Sequence, residues 1–415
     1  MKILHCVENY LPARSGMQEV VTQLSERLVQ KGFDVTIVTA VNDERKDSII
    51  NGVKIVSFDI QGNYVVGYKG NTTAYQQFLL QSDFDVIVSF AAQQWTTDLL
   101  LPIIKEVKAY KVFVPTGFSA LNNPAYAEYY QQMNTWMKEY DMNVFLSSDY
   151  RDINFAKAAG IEKWKIIPNG ASKEEFNHKV YDIRPDLELK QDDFVILLVG
   201  SFTGLKGHFE ALRIFKNAKL EKAVLLLIGN DLHNAHSLKS KVFNLLKFIL
   251  AWFGNRRPVG QFYYKLIASF YNRSLSAKRN SKRIIIKELK RKEIVACYQT
   301  ADVFLFPSMI ECSPIVLFES MASETPFLTS DVGNTREIIT WSDGGVLLPT
   351  TFDGQGYSIT DINGAAKVLT DMYKDESKRK SLAQSGYTAF VSKFDWNRIA
   401  DEYANTYFSL KNETV

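Results

Sequence analysis

Two glutamates and the loop before them hold residue types that could do chemistry. Glu311 and Glu319 have seven residues between them and follow the apolar run Val303–Phe306. Ser313 is a good N-cap and Pro314 a good first helical residue, so the pattern predicts Glu311 in a strand-to-helix loop and Glu319 inside the helix. The first N–H groups of such a helix favour an anion at the sheet edge. Because side chains lean toward a helix's N-terminus, Glu319 is expected to reach toward whatever the loop binds.

A second loop of this kind, Gly200–Gly207, follows another apolar run. A glycine-containing loop between strand and helix lets backbone amides approach a phosphate. Lys206 adds a point charge suited to a diphosphate, although a lysine is slightly disfavoured there unless it meets an anion. Ordinary alternatives stay open: Lys206 as a plain helix-terminal lysine, Glu311 as a solvated loop residue and Glu319 as a helix-face charge.

Both loops belong to a chain in which strand and helix patterns alternate. Such alternation predicts parallel sheets with helices on both faces, and it runs in two series. We expect a first domain over residues 1–170, a linker over 171–193 and a second domain over 194–392, with a last helix over 395–412. Open parallel sheets bind ligands at the carboxyl ends of their strands, and clefts between domains are favoured small-molecule sites.

The composition is that of a globular protein. The 415 residues exceed the usual size of one hydrophobic core, and 46% hydrophobic with 23% charged residues argues against disorder. A net charge of +3 is too small to indicate nucleic acid by itself. Three distant cysteines suit a reducing compartment. No stretch reaches the roughly 18 apolar residues of a spanning helix. We expect a cytoplasmic protein, peripheral at the inner face of a membrane if it touches one.

The segment Pro307–Ala322, with Pro-Ser before the glutamates and Met-Ala after the second, resembles the glutamate pair of family-4 retaining glycosyltransferases. The resemblance implies an α/β fold of the GT-B type: two Rossmann-like domains facing a central cleft, and a C-terminal helix that crosses back to the first domain. It also implies that Glu319 binds the nucleotide ribose and that Glu311 lies by the donor sugar. The residues implied to line the donor site beside them are Ser313, Pro314 and Ile315.

Other segments match the family less closely. Lys206 matches a phosphate-binding lysine, whereas Ser201 stands where the family usually has an arginine. Of the paired glycines that face the donor diphosphate near the family's N-terminus, only Gly16 is kept. Asn169 matches a segment before the linker and is either a donor ligand or a turn residue. Since one of two phosphate cations is missing, either another basic residue replaces it or the leaving group is held less firmly.

The acceptor side departs from the family. Many relatives carry a histidine after the strand that here ends at Val114, whereas this sequence has Thr116 and Gly117. Thr116 can form hydrogen bonds but is no acid or base near neutral pH. The resemblance places Thr116 and Gly117 on the acceptor side. His208 follows the phosphate loop and is expected to face solvent.

The resemblance implies transfer of a sugar from a nucleotide-sugar donor to a glycan or lipid-linked acceptor, with retention, in cell-surface polysaccharide or glycolipid synthesis. Lys206 and helix N-termini can stabilise the departing diphosphate, so no metal or other cofactor is expected. The alternatives are a nucleotide-sugar epimerase or a glycan phosphorylase on a similar scaffold, or a non-catalytic membrane-associated partner subunit. Ser201 and Thr116 favour the partner subunit, and the intact glutamate pair opposes it.

Residues 236–292 carry an unusual charge. They include fifteen basic residues and one acidic residue, for a net +14, and two aromatic-rich runs, Val242–Phe253 and Phe262–Tyr271. Because basic amphipathic helices can lie in a membrane interface, residues 236–283 are predicted as an insertion that contacts an anionic membrane or a lipid-linked acceptor. The alternatives are a helical hairpin packed on the domain and a self-association surface. Nucleic acid is not expected, because no nucleic-acid module accompanies the charge.

Overall fold

The chain forms two compact units. The computed structural model describes residues 1–12, 16–176, 181–230, 260–276 and 282–412. The first unit comprises Met1–Gly170 and Lys393–Val415, and the second comprises Ala171–Ser392. Both are α/β structures with largely parallel sheets, as predicted from the alternating pattern.

The first unit is built on parallel strands. Its strands are β1 (Lys2–Cys6), β2 (Asp34–Ala40), β3 (Ile49–Ile50), β4 (Val53–Phe58), β5 (Ile60–Asn63), β6 (Gly67–Gly70), β7 (Val86–Phe90), β8 (Tyr110–Val114), β9 (Met142–Phe145) and β10 (Trp164–Ile166). Its helices before the second unit are α1 (Gly16–Gln30), α2 (Thr72–Gln81), α3 (Trp95–Asp98), α4 (Ala127–Trp136) and α5 (Arg151–Ala158), with short 3-10 turns at Leu101–Ile103, Pro124–Tyr126 and Met137–Glu139. Eight strands form one sheet in the order β10-β9-β8-β7-β1-β2-β4-β3, with only β3 antiparallel to its neighbour, and β5 and β6 form a separate hairpin.

The second unit has a wholly parallel main sheet. Its elements are α6 (Lys173–Phe176), β11 (Phe194–Val199), α7 (His208–Asn217), β12 (Ala223–Ile228), α8 (Gln261–Ser276), β13 (Arg283–Lys287), α9 (Arg291–Thr300), β14 (Val303–Phe306), α10 (Ile315–Ala322), β15 (Phe327–Thr329), α11 (Thr335–Ser342), β16 (Gly345–Leu347), β17 (Thr350–Phe352), β18 (Ser358–Thr360), α12 (Ile362–Lys374) and α13 (Glu376–Ala389). The main sheet has the order β13-β12-β11-β14-β15-β16, and β17 and β18 pair as a small antiparallel ribbon. The central strands are continuous apolar runs because helices cover both faces.

The last helix returns to the first unit. After a π-helical turn at Phe390–Phe394, α14 (Trp396–Asn412) packs on α1. Its inward face is apolar, with Trp396, Ile399 and Tyr407 almost wholly buried. Lys31 pairs with Asp401 at 2.6 Å beside this contact. The predicted crossover of the C-terminal helix is therefore confirmed.

The segment predicted as a linker is part of the second unit. Residues 171–193 contain α6, and their apolar side chains Phe176, Ile183 and Leu187 are buried. Asp193 pairs with Arg283 at 2.7 Å, which ties the end of the segment to the edge strand β13. The polar composition thus concealed a segment that packs on the sheet.

The described part of the predicted basic insertion also belongs to the core. Residues Tyr264, Ile267 and Ala268 of α8 are buried in the main apolar cluster of the second unit, and β13 pairs with β12. The run Phe262–Tyr271 therefore packs on the domain with one face, which agrees with the alternative of helices packed on the domain. The run Val242–Phe253 lies outside the described residues.

Two basic side chains of this region bind other groups of the second unit. The ammonium of Lys282 donates to the backbone oxygen of Phe215 at 2.7 Å, near the C-terminal end of α7, where a cation is favourable. Arg283 is paired with Asp193. The sequence-level figure of +14 therefore overstates the charge that this region presents outward.

Candidate functional site

Four loops leave the second unit's sheet at one edge. Because β11, β13, β14 and β15 are parallel neighbours or near neighbours, their carboxyl ends share that edge. The loops after β11 and β14 carry Lys206 and Glu311, and α9 begins with Arg291 just after β13. The sheet topology thus brings together residues that are up to 105 positions apart in the chain.

Gly207 allows the loops after β11 and β14 to lie in close contact. Its φ is +77°, and a Cβ there would lie 2.2 Å from the backbone oxygen of Pro307. Met309 N–H donates to the Leu205 oxygen at 2.9 Å, which holds the loops side by side. Only glycine allows both the left-handed backbone and this contact.

Lys206 and Glu311 meet across this contact. The Lys206 ammonium donates to Glu311 Oε1 at 2.8 Å, and the Ser308 hydroxyl donates to the same oxygen at 2.8 Å. The Glu311 side chain is mostly buried, and that of Lys206 is one-third exposed. The two residues predicted to be catalytic are therefore neighbours, and each restricts the orientation of the other.

Glu319 lies buried on α10 and is paired with an arginine. Arg291 Nη1 donates to Glu319 Oε1 at 2.5 Å, and the same guanidinium binds both oxygens of Glu175 on α6. Burial raises the pKa of the Tyr298 hydroxyl well above its usual range, and the nearby Glu319 carboxylate raises it further. The sequence analysis missed Arg291 as the partner of Glu319, and Glu175 as the second partner of Arg291.

Helix α10 begins one residue later than predicted. Pro314 is its N-cap and Ile315 its first residue, so Ser313 is not the cap. Ser313 is buried in the loop instead. Gly333 supports this loop from the next one: a Cβ on Gly333 would lie 2.4 Å from the Cys312 oxygen. The reason for the shift is that Pro314 adopts an extended conformation, with ψ of 113°.

Ser201 has a local partner in the loop after β11. Its hydroxyl donates to Asn230 Oδ1 at 2.7 Å, next to the end of β12. The backbones are close here, since a Cβ on Gly229 would lie 1.9 Å from the Gly200 oxygen. Ser201 thus ties two loops together at the position where the family usually has an arginine.

His208 is buried, so the expectation that it faces solvent is wrong. Its ring lies 4.2 Å from that of Phe202 and 5.4 Å from that of Tyr264, centroid to centroid. Burial lowers the pKa of His208 to about 3, so the ring is neutral. The reason is that α8 covers α7 on this side, which the sequence analysis did not foresee.

The first unit has its own cluster of strained loops. Ala91 and Gln93, after β7, have φ of 64° and 65°, and Thr116 and Phe118, after β8, have φ of 57° and 48°. Gly117 lies between the last two with φ of 103°. Such conformations cost of order 1–3 kcal/mol for non-glycine residues and cluster at functional sites. The neighbouring carboxyl ends of β7 and β8 therefore mark a candidate site that includes both Thr116 and Gly117.

A half-buried carboxylate lies beside these loops. Glu8 follows β1, the neighbour of β7, and its N–H donates to Gln94 Oε1 at 3.0 Å. Burial raises the pKa of the Glu8 carboxyl. The sequence analysis missed Glu8, for which the only available signal was its place directly after an apolar strand.

The remaining predicted donor residues, Gly16 and Asn169, belong to the first unit. Gly16 is exposed and begins α1. Asn169 is buried. Its neighbour Gly170 lies tight against the chain before α14, since a Cβ on Gly170 would lie 2.2 Å from the Phe394 oxygen. This packing agrees with the alternative of a turn residue at Asn169.

Comparison with known proteins decides the family. The profile described as Glycosyl transferases group 1 matches residues 180–389, a little over half of the chain. The chain belongs to the group 1 glycosyltransferases. The matched range includes Lys206, Glu311 and Glu319.

Glycosyltransferases are also found among the relatives of this chain. An uncharacterized glycosyltransferase of Methanocaldococcus jannaschii is 25% identical over 253 residues, which cover 59% of this chain and 54% of that protein. The capsular polysaccharide biosynthesis glycosyltransferase CapM of Staphylococcus aureus is 21% identical over 262 residues, covering 63% and 56%. The chain spans about half the length, or less, of the curated relatives it matches.

Solved structures show the same fold as this group 1 chain. Sucrose-phosphate synthase from Thermosynechococcus elongatus matches with a TM-score of 0.74 and 16% identity, covering 99% of both chains. Anabaena HepE in complex with UDP-glucose matches with a TM-score of 0.68 and 13% identity, covering 99% and 100%. At these identities the likeness concerns the fold, and it confirms the predicted two-domain GT-B type.

Two further properties concern the described residues of this glycosyltransferase. In that part of the chain, no three His, Cys, Asp or Glu side chains converge to hold a metal ion. None of the helices described is long and apolar enough to cross a bilayer. A metal-free reaction and a peripheral location at the inner face of a membrane stay predictions.

Proposed function

We propose that this group 1 glycosyltransferase moves a sugar from a nucleotide-sugar donor to a glycan or lipid-linked acceptor and retains the anomeric configuration. The observation that carries the proposal is the contact of Lys206 with Glu311 at 2.8 Å, on two loops of the family-matched unit. Glu319 lies buried on the helix that follows the second loop. The UDP-glucose complex of HepE makes UDP-sugars the first donors to test.

The proposed roles follow from where charge develops. During glycosyl transfer, positive charge builds at the anomeric carbon and negative charge on the departing diphosphate. Lys206 and the N–H groups at the starts of α7 and α10 stabilise the diphosphate as it leaves. Glu311 accepts hydrogen bonds from donor-sugar hydroxyls and holds Lys206 in place before the donor binds. Glu319 accepts hydrogen bonds from the ribose hydroxyls.

Retention requires no general base in this proposal. The acceptor hydroxyl attacks the anomeric carbon from the face that the diphosphate leaves, and its proton passes to an oxygen of the departing phosphate. This route agrees with Thr116, which cannot act as a base near neutral pH. The strained loops that hold Thr116 and Gly117 are the proposed acceptor side. The name of the relative CapM supports a product in cell-surface polysaccharide, with glycolipid as the other product class.

Donor and acceptor classes can be tested in sequence. A thermal-shift screen with UDP, GDP and their sugar conjugates is expected to identify the base, and release of nucleoside diphosphate from the best conjugate measures turnover. Glu319→Gln should weaken binding about ten- to a hundredfold, since hydrogen bonds to a charged group contribute about 1.5–3 kcal/mol. Glu376→Gln, an exposed change on α13, is the matched control.

The outcomes separate the competing functions. Nucleotide binding without any turnover would favour the non-catalytic partner subunit. An unchanged affinity in Glu319→Gln would remove Glu319 from the donor site. Determination of the product's anomeric configuration by NMR tests retention directly.

We further infer that the basic region contacts an anionic membrane surface. The outward face of α8 carries Phe262, 49% exposed, and Phe270, 64% exposed, together with the exposed cations Lys265 and Arg273. An exposed aromatic and cationic face suits the interface of an anionic bilayer, where each basic residue adds roughly 1 kcal/mol. This role suits a lipid-linked acceptor, which would bring the enzyme to the inner face of the membrane.

Vesicle binding tests the membrane contact without changing the catalytic loops. The wild type should co-sediment with vesicles of phosphatidylglycerol and phosphatidylcholine and release as salt rises. The double variant Phe262→Ser, Phe270→Ser should lose most of this binding, whereas Phe352→Ser, a similarly exposed phenylalanine on β17, should not. Equal sedimentation of all three proteins would refute the contact.

A further inference from the structure

We infer that Arg291 is a positioning residue that keeps the Glu319 carboxylate ionised and oriented for the nucleotide ribose, and that Glu175 anchors Arg291 for this task. The inference deepens the proposed function and rests on it, because it assumes that Glu319 binds the ribose. It assigns a role to two residues that lie away from the Lys206 and Glu311 contact.

The guanidinium is shared between two carboxylates. Nε and Nη2 of Arg291 donate to the two oxygens of Glu175 at 3.0 and 2.6 Å, and Nη1 donates to Glu319 Oε1 at 2.5 Å. The guanidinium also lies over the Phe176 ring, 5.5 Å from its centroid. A planar group with donors in a fixed fork can make all of these contacts at once, whereas a lysine is a point charge and cannot.

Glu319 needs such a partner because it is buried. Only 4% of the residue is exposed, and a buried carboxylate without a cation takes up a proton. Protonation turns one acceptor oxygen into a donor, which opposes hydrogen bonds from two ribose hydroxyls. An ionised carboxylate has about four acceptor positions, so it can accept from Arg291 and from ligand hydroxyls at the same time.

Glu175 sets the position of Arg291. It lies on α6, in the segment that precedes β11, and its bidentate contact fixes the plane of the guanidinium. The titratable and charged groups around Glu319 include Arg291 and Tyr298 of α9 and, through Arg291, Glu175 of α6. Of these groups, Arg291 supplies the positive charge.

Another role for Arg291 would be to replace the phosphate-binding arginine that is absent at Ser201. The geometry favours the ribose side, because Nε, Nη1 and Nη2 are all directed at carboxylates. The two roles predict different dependence on the ligand: a positioning role requires the ribose hydroxyls, and a phosphate contact does not.

The experiment compares a nucleoside diphosphate with its 2′,3′-dideoxy analogue by calorimetry. UDP is the first probe, and GDP replaces it if GDP gives the larger thermal shift. Arg291→Gln should weaken the binding of UDP at least about tenfold. It should weaken the binding of the dideoxy analogue no more than about twofold. Arg291→Lys should not restore the affinity for UDP. The affinity of Glu175→Gln for UDP should lie between those of the wild type and Arg291→Gln. Lys287→Gln, which removes an exposed charge at the end of β13, should match the wild type.

Dependence on pH provides a readout that a merely structural role would not change. The ratio of the two dissociation constants, in which phosphate titration cancels, should be flat from about pH 6.5 to 8.5 in the wild type. In Arg291→Gln the preference for UDP should decline as pH falls, because a buried carboxylate that has lost its cationic partner takes up a proton more readily.

The outcomes distinguish this inference from the proposed function. If Arg291→Gln binds UDP and its dideoxy analogue with equally reduced affinity, the positioning role alone is overturned. The same holds if the preference of that variant for UDP over the analogue does not depend on pH. A wild type that binds UDP and its dideoxy analogue equally would overturn the ribose role of Glu319 and this inference with it. A wild type that binds neither UDP nor GDP would overturn the proposed function itself.

Discussion

Replacing Asp152 by asparagine tests whether the strained loop Thr116–Phe118 is maintained at a cost in stability. Asp152 is 1% exposed, and its Oδ2 accepts a hydrogen bond from the Gly117 N–H at 2.9 Å. Burial raises the pKa of this carboxyl from 3.8 to about 6, although the backbone N–H groups that it accepts from lower it. Asparagine keeps an oxygen for Gly117 and removes the charge, but its NH2 group cannot accept the bond that Oδ1 of Asp152 accepts from the Ile153 N–H at 2.9 Å.

The sign of the effect follows from the direction of the pKa shift. Below about pH 4 the carboxyl is protonated in both the folded and the unfolded chain, and its ionisation costs nothing. As pH rises from about 4 to about 6, the unfolded chain loses the proton first, so the free energy of unfolding falls and stays lower above that range. The shift from 3.8 to about 6 corresponds to about 3 kcal/mol. We therefore expect the stability of Asp152→Asn relative to the wild type to rise by up to about 3 kcal/mol between pH 4 and pH 8, on top of a pH-independent offset from the lost Ile153 bond.

Denaturant unfolding at several pH values measures this difference. Asp98, whose pKa burial also raises to about 6, is present in both proteins, so its contribution cancels. Asp152→Ala is the control: it removes the charge and also the acceptor for Gly117, which costs about 1–3 kcal/mol at every pH. A difference between Asp152→Asn and wild type that is independent of pH, or that grows toward pH 4, would refute the reasoning.

Three other substitutions test the second unit. Lys206→Ala should lower kcat for the donor more than it raises KM, because diphosphate charge grows in the transition state, and equal activity in steady-state assays would remove Lys206 from the site. Ser201→Arg gives up the hydrogen bond to Asn230 but should tighten donor binding in calorimetry; an unchanged or weaker affinity would mean that Ser201 does not mark a vacated cation position. Gly207→Ala should lower both stability and turnover, whereas Gly160→Ala, at φ of +66° with open space around it, should cost only the backbone strain of about 1 kcal/mol. Equal losses of stability in the two glycine variants would contradict the contact with Pro307.

The sheets were predictable because their strands are long apolar runs between turn residues. The apolar run Val303–Phe306 predicted from the sequence is β14, with the same bounds in the structure. The hairpin of β5 and β6 was missed, since its short strands contain three glycines and a mixture of polar residues. Buried parallel strands are specified by composition, whereas short edge pairs depend on tertiary context.

The candidate site was predictable only where a loop follows a strong strand. Lys206 and Glu311 stand directly after β11 and β14, and their positions at the sheet edge follow from the parallel topology. Glu175 could not be found this way, because its helix has four residues and lies in a segment whose composition indicates a linker. His208 was misplaced because its burial depends on α8, which lies about fifty residues further along the chain and packs beside α7 in the core cluster.

Charge pairing explains how the proposed donor site can be organised before a ligand binds. Lys206 is paired with Glu311, and Arg291 with Glu175 and Glu319, so each of these cations has a carboxylate partner. A pair in the interior is costly unless its geometry is good and further hydrogen bonds complete it, as the Ser308 hydroxyl does for Glu311. A diphosphate entering here meets no large excess of positive charge from these pairs, so backbone N–H groups at the starts of α7 and α10 must supply much of its stabilisation. The close packing at Gly207 and Gly333 holds the loops before those two helix starts in place, so we expect both glycines to affect binding through the backbone N–H groups.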